Sequence, residues 1–243
     1  MLSFARRAVD DYNMIEDGDR IAVGVSAGKD SLALLAVMCD LRRFYPKKFE
    51  VCAITLDMGF PGADNSDLEA FYKELDIEYK IVDTRLAEII FDVRKESNPC
   101  SLCARMRRGI LHDTAKELGC NKLALGHHFD DVVETFMMNL FNEGRIGTFS
   151  PYTYLDRKDI TVIRPLVLAP EKDIKYFVSK NTLPIKQSLC PEDKQTDREK
   201  YKRMLADMEK ENEGIRHRIF CAIKKADVDG YGTDESRSAK IDS

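Results

Sequence analysis

Apolar and polar residues alternate along this chain in two periods, and the periods take turns. Residues 20–25 (RIAVGV) form a short β-branched run that ends at a glycine-containing loop. A helical spacing follows at once through Ser31, Leu32, Leu35, Val37, Met38 and Leu41. A second buried strand is predicted over 51–57, a helix over 66–75 and a strand over 77–82. A helix is expected over 85–94, and Asn98-Pro99 interrupts it; another runs from about 100 to 118 and closes at Gly119. Residues 121–126 read as a strand, and 130–142 as an amphipathic helix with Val132, Val133, Phe136, Met137, Leu140 and Phe141 on one face. A strand at 160–163 precedes a mostly helical stretch up to about Ala226. The last seventeen residues, from Asp227, are polar and Gly/Ser-containing and predict a disordered tail.

Strands that alternate with helices and are apolar throughout predict an α/β fold, a parallel sheet with helices on both faces. Ligands bind such sheets beyond the carboxyl ends of the strands. Three candidate sites fall there: 26–31, Asp57 and 126–131.

Bulk composition narrows the class. The chain has 243 residues, 44% of them apolar, which suits one large domain or a domain with an appendage. Its longest apolar run, Leu32 to Cys39, is too short to span a bilayer, and acids follow the N-terminus before a signal segment could form, so a cytoplasmic protein is expected. The net charge of −4 argues against a dedicated nucleic-acid binder and makes any RNA contact a matter of local patches. Candidates are Arg105, Arg107 and Arg108, with Arg6, Arg7, Arg42, Arg43, Lys47, Lys48 and Arg145 further afield. Seven cysteines without a disulfide-like spacing point to buried thiols, metal ligands or catalytic groups.

Between a strand and a helix, Ser26-Ala27-Gly28-Lys29-Asp30-Ser31 can cradle phosphate. Small residues admit the anion, helix N–H groups face it, and Lys29 and two hydroxyls add donors. The spacing is not that of a Walker A loop, and an ordinary strand–helix turn is the competing reading. Cys100-Ser101-Leu102-Cys103 sets two thiols at a helix start, open to half a zinc site, a redox pair or two cluster ligands. Ser188-Leu189-Cys190 repeats the wording in a loop. Three thiolates fall short of the four a structural zinc prefers, whereas a [4Fe–4S] cluster on three cysteines keeps one iron open. Gly126-His127-His128-Phe129-Asp130-Asp131 opens the amphipathic helix. Asp131 and Glu134, one turn apart, could hold Mg²⁺, and His127 could meet phosphate; the alternative is that Asp130 and Asp131 cap the helix. Arg164 is a further candidate for phosphate or RNA.

GVSAGKDSLALL resembles the PP-loop of the ATP-pyrophosphatases, with Ala27 where that pattern, Ser-Gly-Gly-x-Asp-Ser, has its first glycine. CSLCARMRRGIL, LALGHHFDDVVET, VIRPL and the lone Cys190 then follow in the order found in the tRNA 2-thiocytidine synthetase family. The resemblance spans roughly residues 15 to 225. It departs in a short C-terminus and in PIKQSLC, which lacks an additional cysteine.

This resemblance implies an adenine nucleotide alpha hydrolase-like domain over 1–165, a helical extension carrying Cys190 over 166–226, and a tail over 227–243. It implies an ATP- and Mg²⁺-dependent cytoplasmic enzyme that adenylates a tRNA anticodon-loop cytidine and replaces oxygen with sulfur. A [4Fe–4S] cluster would sit on Cys100, Cys103 and Cys190, and Asp57 would contact the nucleotide. The sulfur donor would be sulfide or a cysteine desulfurase, and a homodimer stays open. The rival readings are a PP-loop thiolase or ligase for another RNA base or a small molecule, and a non-catalytic nucleotide and cluster sensor.

Overall fold

The computed structural model describes residues 1–94, 99–192 and 197–233. Helix α1 (Leu2–Asp11) leads into β1 (Asp19–Val25), α2 (Lys29–Phe44) and β2 (Phe49–Asp57). Then come α3 (Ser66–Glu74), β3 (Glu78–Asp83), a π-helical segment (Glu88–Arg94), α4 (Pro99–Glu117) and β4 (Lys122–Ala124). The second half holds α5 (Phe129–Asn142), β5 (Tyr152–Leu155), β6 (Ile160–Ile163), α6 (Glu171–Lys180), α7 (Asp197–Glu211) and α8 (Ile215–Ala226).

The strands form one sheet in the order β3-β2-β1-β4-β6-β5, parallel except for β5, which runs antiparallel to β6 at the edge. The sequence pattern predicts no strand there, because Tyr152 and Tyr154 on β5 are exposed and the run is short and polar. The chain leaves β1 towards β2 and β3, then returns to place β4 on β1's other side. Strand order therefore reverses between β1 and β4, and a crevice opens at their carboxyl ends.

Two apolar layers hold the sheet. One face packs Ile21 and Val23 against Leu32, Leu35 and Val37 of α2, Val132 and Val133 of α5, and Leu205 and Phe220 of α7 and α8. The other packs Ala22, Cys52, Ile54 and Leu123 beneath Leu111 and Ala115 of α4. Helix α1, which the pattern reading passes over, turns Ala5, Ala8 and Val9 into the first layer at the i, i+3, i+4 spacing of an amphipathic helix.

The predicted tail is corrected in its first part. Residues Val228–Gly230 make a turn of 3₁₀ helix, and Tyr231 is fully buried with its ring on Phe220 and Tyr12. One aromatic side chain, invisible as a pattern among polar neighbours, fixes that segment. Residues 234–243 and Asn98 lie outside the described residues. No helix among the described residues is long and apolar enough to cross a membrane.

Candidate active site

A cleft of about 710 Å³ lies at the reversal point, walled by the loops that follow β1, β2 and β4. Ser26, Ala27, Gly28, Asp30 and Ser31 form one side, with Asp57 on the next strand end and Gly126, His127 and Asp131 beyond β4. The 26–31 loop is already shaped. The Ser26 N–H donates to Ser31 Oγ at 3.1 Å, and the Ser31 hydroxyl donates to the Gly28 carbonyl at 3.0 Å. Ala27 sits at φ +59°, the left-handed region that explains glycine at this place in the PP-loop pattern. Gly126 is fixed by contact: a Cβ there would lie 3.0 Å from the Asp30 carbonyl carbon and 3.1 Å from the Ser31 nitrogen.

Asp57 is oriented by two donors, the Gly59 N–H and the Asn65 amide, each at 2.8 Å. Asp131 accepts the His128 N–H at 3.0 Å and Arg198 Nη1 at 3.2 Å. Burial opposes its charge, but the neighbouring His128 and Arg198 hold its carboxyl below the usual range. His127 is half-buried against the Phe149 ring, 4.8 Å between centroids, and its buried Nδ1 has no partner. Burial, with the Arg164 guanidinium adding, holds its pKa near 4, so the ring is neutral at pH 7.

Three expected residues stand away from the cleft wall. The Lys29 ammonium pairs with Asp30 at 2.8 Å and with Glu171 of α6 at 3.1 Å. Glu134 does not join Asp131 as a metal ligand facing the cleft. It is 3% exposed, lies 3.5 Å from Arg216 of α8, and is pushed up to about 7 by burial. A three-residue step advances a helix by less than a full turn, and α8 takes up that flank. Arg164 is half-buried, with its guanidinium 5.0 Å from the Phe149 ring and Nη1 donating to the Ser150 carbonyl.

The cysteines approach the cleft from two sides. Cys103 on α4 and Cys190 in the loop after α6 line it, and Cys100 lies one turn before Cys103. Burial raises the thiols of Cys100 and Cys103, and the nearby Cys190 raises both further. The set suits an iron–sulfur cluster by its chemistry: three thiols near one another, two of them at the cleft, with Cys39, Cys52 and Cys120 buried elsewhere. Among the described residues no three His, Cys, Asp or Glu side chains close around a single ion.

Two cleft cations escape sequence reading. Arg198 of α7 bridges Asp131 and Thr135, the latter at 3.1 Å, and Lys186 lies on the Cys190 loop. Both sit in charge-rich stretches indistinguishable from solvated surface. Of the basic residues expected to meet RNA, Arg107 lines the cleft. Arg6, Arg7, Arg43 and Arg145 are paired with nearby acids, and Arg42 and Lys47 donate to backbone carbonyls.

Residues 2–207 match the PP-loop domain family. The chain is 41% identical over 220 residues to the tRNA-cytidine(32) 2-sulfurtransferase of Geobacter sulfurreducens, covering 89% of this chain and 86% of that one. It is 42% identical over 220 residues to the same enzyme of Syntrophotalea carbinolica, with 89% and 85% covered. The chain belongs to the PP-loop tRNA 2-thiocytidine synthetase family. Among solved structures, this family member resembles the U34-tRNA thiolase NcsA of Methanococcus maripaludis, solved with its [4Fe–4S] cluster. The TM-score is 0.71 and the identity 27%, over 89% of this chain and 75% of that one.

Proposed function

We propose that this enzyme uses ATP to adenylate a cytidine carbonyl oxygen in a tRNA anticodon loop and then exchanges that oxygen for sulfur. The observation that carries the reading is a shared cleft: a phosphate loop and two of three candidate cluster thiols face the same space. The relatives named as tRNA-cytidine(32) 2-sulfurtransferases supply the substrate class.

In the first step the base oxygen attacks the α-phosphorus of ATP, and pyrophosphate leaves. Main-chain N–H groups at the start of α2 and the hydroxyls of Ser26 and Ser31 bind the departing charge. Lys29 serves the same anion by moving from Asp30 and Glu171, a short swing of a flexible side chain. Asp131 would hold Mg²⁺, and Asp57 would contact the nucleotide. Neutral His127 lines the cleft without adding charge. In the second step a sulfur nucleophile attacks the activated carbon and AMP departs with the original oxygen. Cys100, Cys103 and Cys190 would hold a [4Fe–4S] cluster, which when bound would present sulfide as that nucleophile. Arg107 and Lys186 lie where the RNA strand would cross, so specificity for tRNA rests on a local patch.

The test is nucleoside mass spectrometry of tRNA incubated with anaerobically reconstituted enzyme, ATP and sulfide. The proposal expects 2-thiocytidine that requires ATP, with tRNA-dependent pyrophosphate release. Thiolation of uridine in place of cytidine would reassign the base. Pyrophosphate release indifferent to RNA would replace tRNA with a small-molecule substrate.

A further inference from the structure

A second cysteine pair lies at the opposite end of the sheet from the cleft, among the residues that start β1, β2 and β4. Cys52 of β2 and Cys120, in the turn between α4 and β4, are 1% and 2% exposed, and their sulfurs stand 3.3 Å apart. Each thiol read singly is a small core hydrophobe. Their surroundings distinguish the pair from inert core thiols. The two thiols share a hydrogen bond in which either sulfur can donate. Arg20 lies beside Cys120, where its charge favours the thiolate, and that guanidinium is held in place by Glu50 at 3.0 Å and by Glu78. Cys52, though not Cys120, also lines a surface recess of about 180 Å³ with Arg20, Glu50 and Glu78, so a reagent little larger than water comes up to the pair from the Cys52 side.

We infer that Cys52 and Cys120 form a redox-active dithiol that hydrogen peroxide closes to a disulfide, joining β2 to the α4–β4 turn. The Cys120 thiolate is the nucleophile, since the Arg20 guanidinium beside it favours the ionised sulfur. It attacks one peroxide oxygen, the O–O bond breaks, and the hydroxide released takes a proton to become water. The sulfenic acid left on Cys120 is then attacked by Cys52, which gives up its proton. The S–S bond forms, the S–O bond breaks, and a second water leaves. Two thiols lose two electrons and one peroxide gains them; a dithiol reductant reverses the change. The bond would close a loop across 68 positions of sequence and so restrict the unfolded chain.

This inference stands apart from the thiolation chemistry and is tested on the full chain without a cluster. Protein is treated with increasing hydrogen peroxide, alkylated under denaturing conditions, and digested for non-reducing mass spectrometry. The expected result is a linked Cys52–Cys120 peptide pair, lighter by two hydrogens, that disappears with dithiothreitol. The thermal midpoint should rise, by roughly several degrees, before reduction restores it. In Cys52→Ala, dimedone should trap a sulfenic acid on Cys120. Recovery of both thiols in alkylated form, at peroxide levels that oxidise Cys103 or Cys190, would overturn the inference. So would peroxidation of Cys120 to sulfinic acid in the wild-type chain without any linked peptide. Peptide mapping of the wild-type protein decides the matter even if the variant fails to fold.

Discussion

The Lys186 N–H donates to the carbonyl of Ala27 at 3.1 Å, tying the loop that carries Cys190 to the backbone of the phosphate loop. A cysteine 163 positions from Ala27 in sequence is thereby positioned by the ATP-binding segment itself. Lys186→Pro removes the donor together with the Lys186 ammonium, and Lys186→Ala, which keeps the N–H, isolates the part due to the side chain. The proline variant should lower stability by only about 1 kcal/mol, while tRNA thiolation falls at least tenfold and ATP affinity stays within about threefold. Calorimetry with ATP and nucleoside analysis separate the two; an equal loss in both would mean the link serves the phosphate loop alone.

Gly126→Ala sets a methyl group 3.0 Å from the Asp30 carbonyl carbon, so the start of α2 has to move. Overpacking of this kind costs about 1–3 kcal/mol. The prediction is a lower denaturation midpoint and ATP binding weakened more than tenfold, read by urea titration and calorimetry. Unchanged ATP affinity would show that the loop accommodates the methyl without losing its shape.

Glu134 gives a pH signature. Burial, with Asp131 adding, lifts its pKa to about 7, so the folded chain holds this proton more firmly than the unfolded one. Its contribution is fully present below the ordinary value near 4.3 and is lost as pH rises through 7. Glu134→Gln cannot ionise. Relative to wild type it should be stabilising by about 1 kcal/mol at pH 5 and by about 3 kcal/mol at pH 8. Urea titrations at the two pH values check this, and a variant destabilised equally at both would place the weight on the Arg216 contact instead.

Beneath the sheet, Lys122 and Asp19 are 3% exposed each and pair at 2.7 Å, with Lys122 also donating to the Met14 carbonyl. Lys122→Met leaves the Asp19 carboxylate buried without its cation. A loss of about 3–5 kcal/mol is expected, partly relieved by adding Asp19→Asn. Denaturant unfolding of the single and double variants measures it; independent, additive effects would deny the coupling.

Strands β1, β2 and β6 and helices α2 and α5 were legible because their faces are buried in one period over many residues. The phosphate loop was legible too, being local and bounded by a strand and a helix. Edge strand β5 was not, since its side chains are half solvated and its pairing with β6 is a tertiary fact. Glu134 shows a different limit: spacing from Asp131 gives a helix face, but the arrival of α8 decides what that face meets. Lys186 and Arg198 carried no local mark at all. Their place in the cleft depends on a hydrogen bond to Ala27 and an ion pair with Asp131, both long-range.

Tyr231, buried between Tyr12 and Phe220, has a consequence for the order in which the protein can assemble during synthesis. Its carbonyl accepts the Tyr12 hydroxyl across 219 positions of sequence. At roughly 5–20 residues per second, translation separates these partners by about 10–40 s. Over that interval α1 has left the ribosome but lacks the aromatic ring that covers its end. The Tyr12 end of α1 therefore stays uncovered in the nascent chain until almost all of it has been made, and a stall shortly before Tyr231 would leave that aromatic ring open to chaperones.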